Sequence, residues 1–235
     1  MTRRTLEDAL SWSAAGTELF HRAVAGWGEE QYLAPSGLPG WSRKHLVAHV
    51  AANADALCNL VRWAATGEKT PMYSSPAQRD ADIAAGATRT AAELTTSLHE
   101  SAERLAVGVA ALGPAQWRSE VVTAQGRTVP ATEIPWLRSR EACVHAVDLA
   151  AGVTFADLPA GFLTALAGDI VAKRGATAGL ALTLTAAGDR WELPGAGDPV
   201  TLTGPLTEVV AYLAGRPHAL TTADGSPAPA LPAWL

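Results

Sequence analysis

Glu141 and His145 stand four residues apart in "WLRSREACVHAVDLAAG", Trp136 to Gly152, a stretch otherwise made mostly of small and apolar residues. Successive helical residues turn by about 100°, so residues at this spacing lie within roughly 40° of each other on one face. A carboxylate and an imidazole so placed can share one ligand. The competing reading is a plain Glu–His hydrogen bond inside a helical bundle. Cys143 lies about 200° from Glu141 by the same count. It points away from the pair and reads as a small core residue.

A third ligand is available in "HLVAHVAAN", where His45, His49 and Asn53 recur at four-residue steps beside an apolar seam. A polar stripe inside a bundle needs partners. If the helices bearing these two motifs are neighbours, His49 can join Glu141 and His145 in a set of two imidazoles and one carboxylate for a divalent metal. His45, one turn nearer the helix start, competes for that place, and spacing does not separate the two. Three protein ligands leave a coordination position open, the arrangement of catalytic rather than structural zinc. Cys58, nine positions beyond His49, falls about half a turn out of phase and is a poor ligand candidate.

Four long helical patterns must position these groups. The first runs from about Thr5 to Trp27, with Leu6, Leu10, Ala14, Leu19 and Val24 on its apolar side. The second has Ser42 as N-cap, an apolar stripe of Leu46, Val50, Leu57, Leu60 and Val61, and Gly67 at its C-terminal stop. The third starts with Pro76 in its first turn and runs, with a break available at Gly86, to about Leu112. "SEVVTAQGRTVPA" then reads as a short hairpin or ordered loop turning at Gln125-Gly126, which brings Arg127 beside the fourth helix, about Glu133 to Ala151. After Gly152 the texture changes. A helical piece at Pro159 to Arg174, strand-like runs in "LALTLTAAGDRWELPG" and "DPVTLTG", a Gly-Asp turn and a helix opened by Pro205 predict a smaller second domain. The boundary is set at residues 1–152 and 153–235, and the tail "GSPAPALPAWL" reads as an extended strap.

The 235-residue chain is 48% hydrophobic, typical of a globular protein. A formal net charge of −5, with no cluster of Lys and Arg to offset it, argues against nucleic-acid partners. Two cysteines without Cys-x-x-Cys spacing indicate neither a disulfide framework nor a thiolate zinc site, and suit a reducing cytoplasm. The N-terminus "MTRRTLEDALSW" lacks an apolar signal region, and no later run reaches membrane-spanning length. A cytoplasmic protein with no membrane partner is expected. The eight tryptophans are scattered and read as packing residues.

Together, "GWSRKHLVAHVAANADALCNLVRWAATGEKTPMYSSPAQR", "TAQGRTVPA", "RSREACVHAVDL" and "YLAGR" resemble the mycothiol-dependent maleylpyruvate isomerase family of the DinB-like metalloenzyme superfamily. The resemblance covers nearly the whole chain. It implies an α+β protein: an N-terminal DinB-like four-helix bundle holding zinc, then a smaller α/β domain resembling sterol-carrier folds. It assigns the metal ligands to His49, Glu141 and His145, with Glu taking a place that many DinB-like proteins give to a third His. It also matches two substrate-side basic residues to Arg79 in "SPAQR" and Arg216 in "LAGRP", the latter followed by Pro217 where the family pattern often has Gly.

The implied reaction is the cis-to-trans isomerisation of maleylpyruvate to fumarylpyruvate in gentisate degradation, with mycothiol as a thiol cofactor. Addition of the thiolate makes the double bond single and free to rotate, and expulsion restores it. Zinc favours the thiolate over a thiol whose free pKa is about 8.5. Arg79 and Arg216 would clamp the dicarboxylate substrate, although a surface ion pair explains either equally well. Gln125 and Arg127 are candidates for contacts to the thiol's sugar groups, and Asp148 could accept a hydrogen bond from an imidazole. Two other readings remain open: a mycothiol S-transferase acting on another electrophile, and a non-catalytic metal- or ligand-binding protein. A monomer is expected.

Overall fold

The computed structural model describes residues 4–175, 179–231 and 234. The chain divides into two compact units, one spanning Thr5–Val153 and the other built from Thr154 onward.

In the first unit, α1 (Leu6–Val24) is capped by Thr5, whose side chain accepts from the Asp8 amide while Asp8 bonds back to the Thr5 backbone. A short helix, α2 (Glu29–Leu33), leads to α3 (Arg43–Thr66), which Ser42 opens and Gly67 closes in the left-handed conformation at φ 76°. Next come α4 (Pro76–Gly86) and α5 (Ala91–Ala110), then a hairpin of β1 (Glu120–Val122) and β2 (Thr128–Pro130), and finally α6 (Ile134–Asp148). The bundle proper is α1, α3, α5 and α6: α1 lies along α6, and α3 packs against both α5 and α6. Gly16 permits the α1–α6 approach, because a Cβ there would stand 2.5 Å from Cys143 Sγ.

Two apolar clusters fill this bundle. Leu57, Leu60, Leu105, Ile134 and Leu137 belong to one, and Phe20, Leu46, Val50, Leu98 and Ala146 to the other. Along α3 the changeover falls between Val50 and Ala54, and along α6 between Leu137 and Ala146. The polar residues Asn53, Arg138, Glu141 and His145 occupy those stretches, and His49 directly precedes the one on α3. A seam between two cores is where a polar group can be buried without opening either.

The expected third helix is two helices, parted at the break the sequence offers at Gly86. Thr90 and Glu93 form a reciprocal cap that starts α5 afresh after α4 has ended at Gly86. The sequence reading also missed α2, whose five residues are too few to show a period. The fourth helix stops at Asp148 rather than Ala151, and Ala150 turns to φ 51°.

The second unit has α7 (Ala160–Arg174), three strands and α8 (Leu206–Leu213). Its sheet runs β4 (Asp189–Leu193), β3 (Leu180–Ala186), β5 (Ala196–Thr203), with β3 antiparallel to β4 and parallel to β5. The β3–β4 turn lies one residue earlier than the expected Gly-Asp, at Ala187 and Gly188, both at positive φ. In the tail, Pro229 accepts a hydrogen bond from the Tyr212 hydroxyl at 2.8 Å, and the backbone carbonyl of Trp234 accepts one from Lys173 at 3.0 Å. The fold is α+β. No helix among the described residues is long and apolar enough to cross a membrane.

Candidate metal centre

His49 comes from the first half of α3, and Glu141 and His145 from successive turns of α6. His49 Nε2 lies 2.9 Å from Glu141 Oε2, and His145 Nε2 lies 3.3 Å from the same oxygen. One ligand atom from each of the three residues falls within 4.8 Å of the others. The imidazole rings stand 4.9 Å apart and nearly perpendicular, so both present a nitrogen edge to one point. His45 is elsewhere: its Nδ1 is 2.8 Å from the Ser42 hydroxyl, in the cap of its own helix. Cys143 faces α1, where its thiol reaches the Trp12 carbonyl.

Asp148 and His145 are joined at 2.9 Å through Nδ1. A carboxylate there favours the proton on Nδ1 and leaves Nε2 as a lone pair aimed at Glu141, the tautomer a metal ligand needs. Two imidazole nitrogens and a carboxylate oxygen converge here, and a shared cation, a proton or a metal ion, relieves their repulsion. This donor set fits a divalent metal.

Without a metal, protons take that role. Burial works against a charged His145, but hydrogen bonds to Asp148 and Glu141 outweigh it and raise the imidazole to about 9. Burial likewise opposes a charged Glu141, yet the His145 and His49 hydrogen bonds hold its carboxyl well below the usual range. His49 moves the other way, lowered chiefly by burial.

Arg79 on α4 joins this group. Its Nη2 lies 3.5 Å from His49 Nδ1 while Nη1 pairs with Asp80 at 2.9 Å. Gly86 seats α4 against α3, since a Cβ there would lie 2.7 Å from the Ala48 Cβ, next to His49. Two nearby residues escaped the sequence reading as site components. Tyr73 has its hydroxyl raised by burial first and by Glu141 second, with Arg79 and Asn53 acting in the opposite direction. Trp41 packs edge-on to His49 at 5.6 Å between ring centres. Both lie in connecting segments, where no periodicity marks them. Gln125 and Arg127 are exposed at the hairpin turn, and no hydrogen bond joins them to the three ligand candidates. Arg216 belongs to the second unit, just past α8, where Nη1 donates to the Ala214 carbonyl at 2.7 Å.

A helical bundle with a converging His-Glu-His set on two of its helices defines the class: a helical-bundle protein with a group that could hold a metal ion. Residues 13–150, more than half of the chain, match the family described as the mycothiol maleylpyruvate isomerase N-terminal domain. The crystal structure of the mycothiol-dependent maleylpyruvate isomerase is similar over 100% of both chains, at 41% identity and a TM-score of 0.94. That of a histidine-to-alanine mutant of the isomerase matches at 40% identity, with the same coverage and TM-score. Among curated proteins the sequence has no significant match. The chain belongs to the mycothiol maleylpyruvate isomerase family.

Proposed function

We propose that this protein is a cytoplasmic isomerase that converts maleylpyruvate to fumarylpyruvate with mycothiol as cofactor and zinc on His49, Glu141 and His145. The full-length likeness at 41% identity carries this reading, and the convergence of the three ligand atoms supports it. When bound, the metal stabilises the thiolate of mycothiol, whose reversible addition lets the substrate's double bond rotate.

The chain's own residues supply the rest. With a metal bound, His49 and His145 would each present a neutral nitrogen to it, and Asp148 fixes the His145 proton on the far nitrogen. Arg79, one-third exposed and bordering His49, offers a planar fork to a substrate carboxylate. Arg216 is assigned the second carboxylate on its motif, and Gln125 and Arg127 the sugar groups of the thiol. Both cysteines are free, and burial raises their thiols, Cys143 to about 12. Neither can stand in for the exogenous nucleophile.

Thiol accounting tests the proposal. A trace of mycothiol should convert a large excess of maleylpyruvate, with no conjugate by mass spectrometry and no reaction when the thiol is omitted. Loss of one thiol per product, with a stable adduct, would make the protein an S-transferase instead.

A further inference from the structure

Away from the metal centre the bundle carries a second feature. α1 and α5 make few contacts with each other, and a groove of about 520 Å³ lies between them, lined by Leu10, Ala14, Ala106, Val109 and Trp117. Arg138 of α6 also lines it. Arg138 is only 2% exposed. Its Nη1 donates to the Val50 carbonyl at 2.8 Å and to Asn53 Oδ1 at 3.2 Å, both neutral acceptors. Its Nε has no partner, and no ion pair reaches it among the described residues.

Burying a cation without a counter-ion is costly, and an unused N–H adds to that cost. Glu141 is the carboxylate whose charge favours Arg138 most, but it is committed to two imidazoles. Glu18 lines the groove but is solvent-exposed and paired with Arg22 at 3.9 Å. An uncompensated guanidinium beside apolar walls lacks an anionic acceptor attached to an apolar body. We propose that this groove binds a single-chain alkyl carboxylate of medium length, its head on Arg138 and its chain between α1 and α5. The volume falls within the roughly 300–1,000 Å³ of ligand pockets, which suits one chain and not a two-chain lipid. Ser13 and Thr17 are also in the lining and add hydroxyl groups to its walls. The inference is independent of the isomerase reading, since none of these residues belongs to the metal centre.

Isothermal titration of the full chain with decanoate, decanol and decylamine tests it, with a chelator present so that a carboxylate on metal is not counted. Decanoate should bind one per chain. It should bind about tenfold or more tighter than decanol, the worth of a charged hydrogen bond, and decylamine should not bind. Ala14→Trp and Ala106→Trp, at exposed wall positions, should abolish binding, and Arg138→Met should make decanoate and decanol equal. Equal affinity of the two in the unaltered chain, or undiminished decanoate binding in both Trp variants, overturns the proposal. If Arg138→Met does not fold, the decanol comparison and the two wall variants decide it.

Discussion

Two charges of opposite sign stand three residues apart on α6, Arg138 and Glu141, and the bundle surrounds them differently. Around Glu141 two imidazoles converge, and His145 is raised to about 9 because its bonds to Asp148 and Glu141 outweigh burial. Around Arg138 there are only neutral acceptors. His21, on the α1 side, is lowered to about 4, first by burial, then by His99 and Arg138. One end of the polar seam gathers positive charge and the other repels it. A buried carboxylate among imidazoles is completed by a cation, and a buried guanidinium among carbonyls by an anion. The same helix thus carries both the candidate metal centre and one wall of the groove.

The largest effect should come from breaking the negative end. His49→Ala, Glu141→Ala and His145→Ala should each lose the metal and with it the activity, whereas His45→Ala should keep both, because His45 only caps α3. Elemental analysis decides the matter, and metal retained by His49→Ala but lost by His45→Ala would reverse the ligand assignment. Arg79 borders the same centre without supplying a ligand atom. Arg79→Ala and Arg216→Ala should keep the metal and lose roughly 10- to 150-fold in rate, the worth of a charged hydrogen bond made in the transition state. Steady-state kinetics indistinguishable from the unaltered chain would return both arginines to surface roles.

The negative end was legible in the sequence because its residues repeat with the helical period. Glu141 and His145 share a face by spacing alone, and His45, His49 and Asn53 mark a stripe. The choice between His45 and His49 was not legible from spacing, since both lie on that stripe; it depends on where along α3 the neighbouring α6 crosses. Helix ends were readable where capping chemistry is local, as at Ser42, Gly67 and Pro76. The end of α4 was readable at Gly86, but the restart at Thr90 lay inside a longer apolar pattern and was not marked. Tyr73 and Trp41 reach the centre from connecting segments, where no period reports direction. The positive end was invisible for another reason. An arginine in "WLRSRE" looks like an ordinary surface residue, and only the packing of α1, α3 and α6 reveals that Arg138 is enclosed.

The smallest effect should appear at that positive end, as a pH dependence. His21 titrates lower in the folded chain than its ordinary 6.5, reaching about 4, so between those values the unfolded chain binds more protons. Stability associated with neutral His21 should therefore be complete above pH 6.5 and decline as the pH falls toward 4. His49 is shifted in the same direction, so its contribution must be subtracted by comparing the unaltered chain with His21→Gln at each pH. The variant should melt with a flatter acid limb over that window and coincide with the unaltered chain above it. Arg138→Met should flatten the limb in part, because the guanidinium is one of three influences that hold the imidazole neutral. An NMR titration in which His21 protonates near 6.5 would mean that the positive end of the seam is screened, and the contrast with Glu141 would then rest on the metal centre alone.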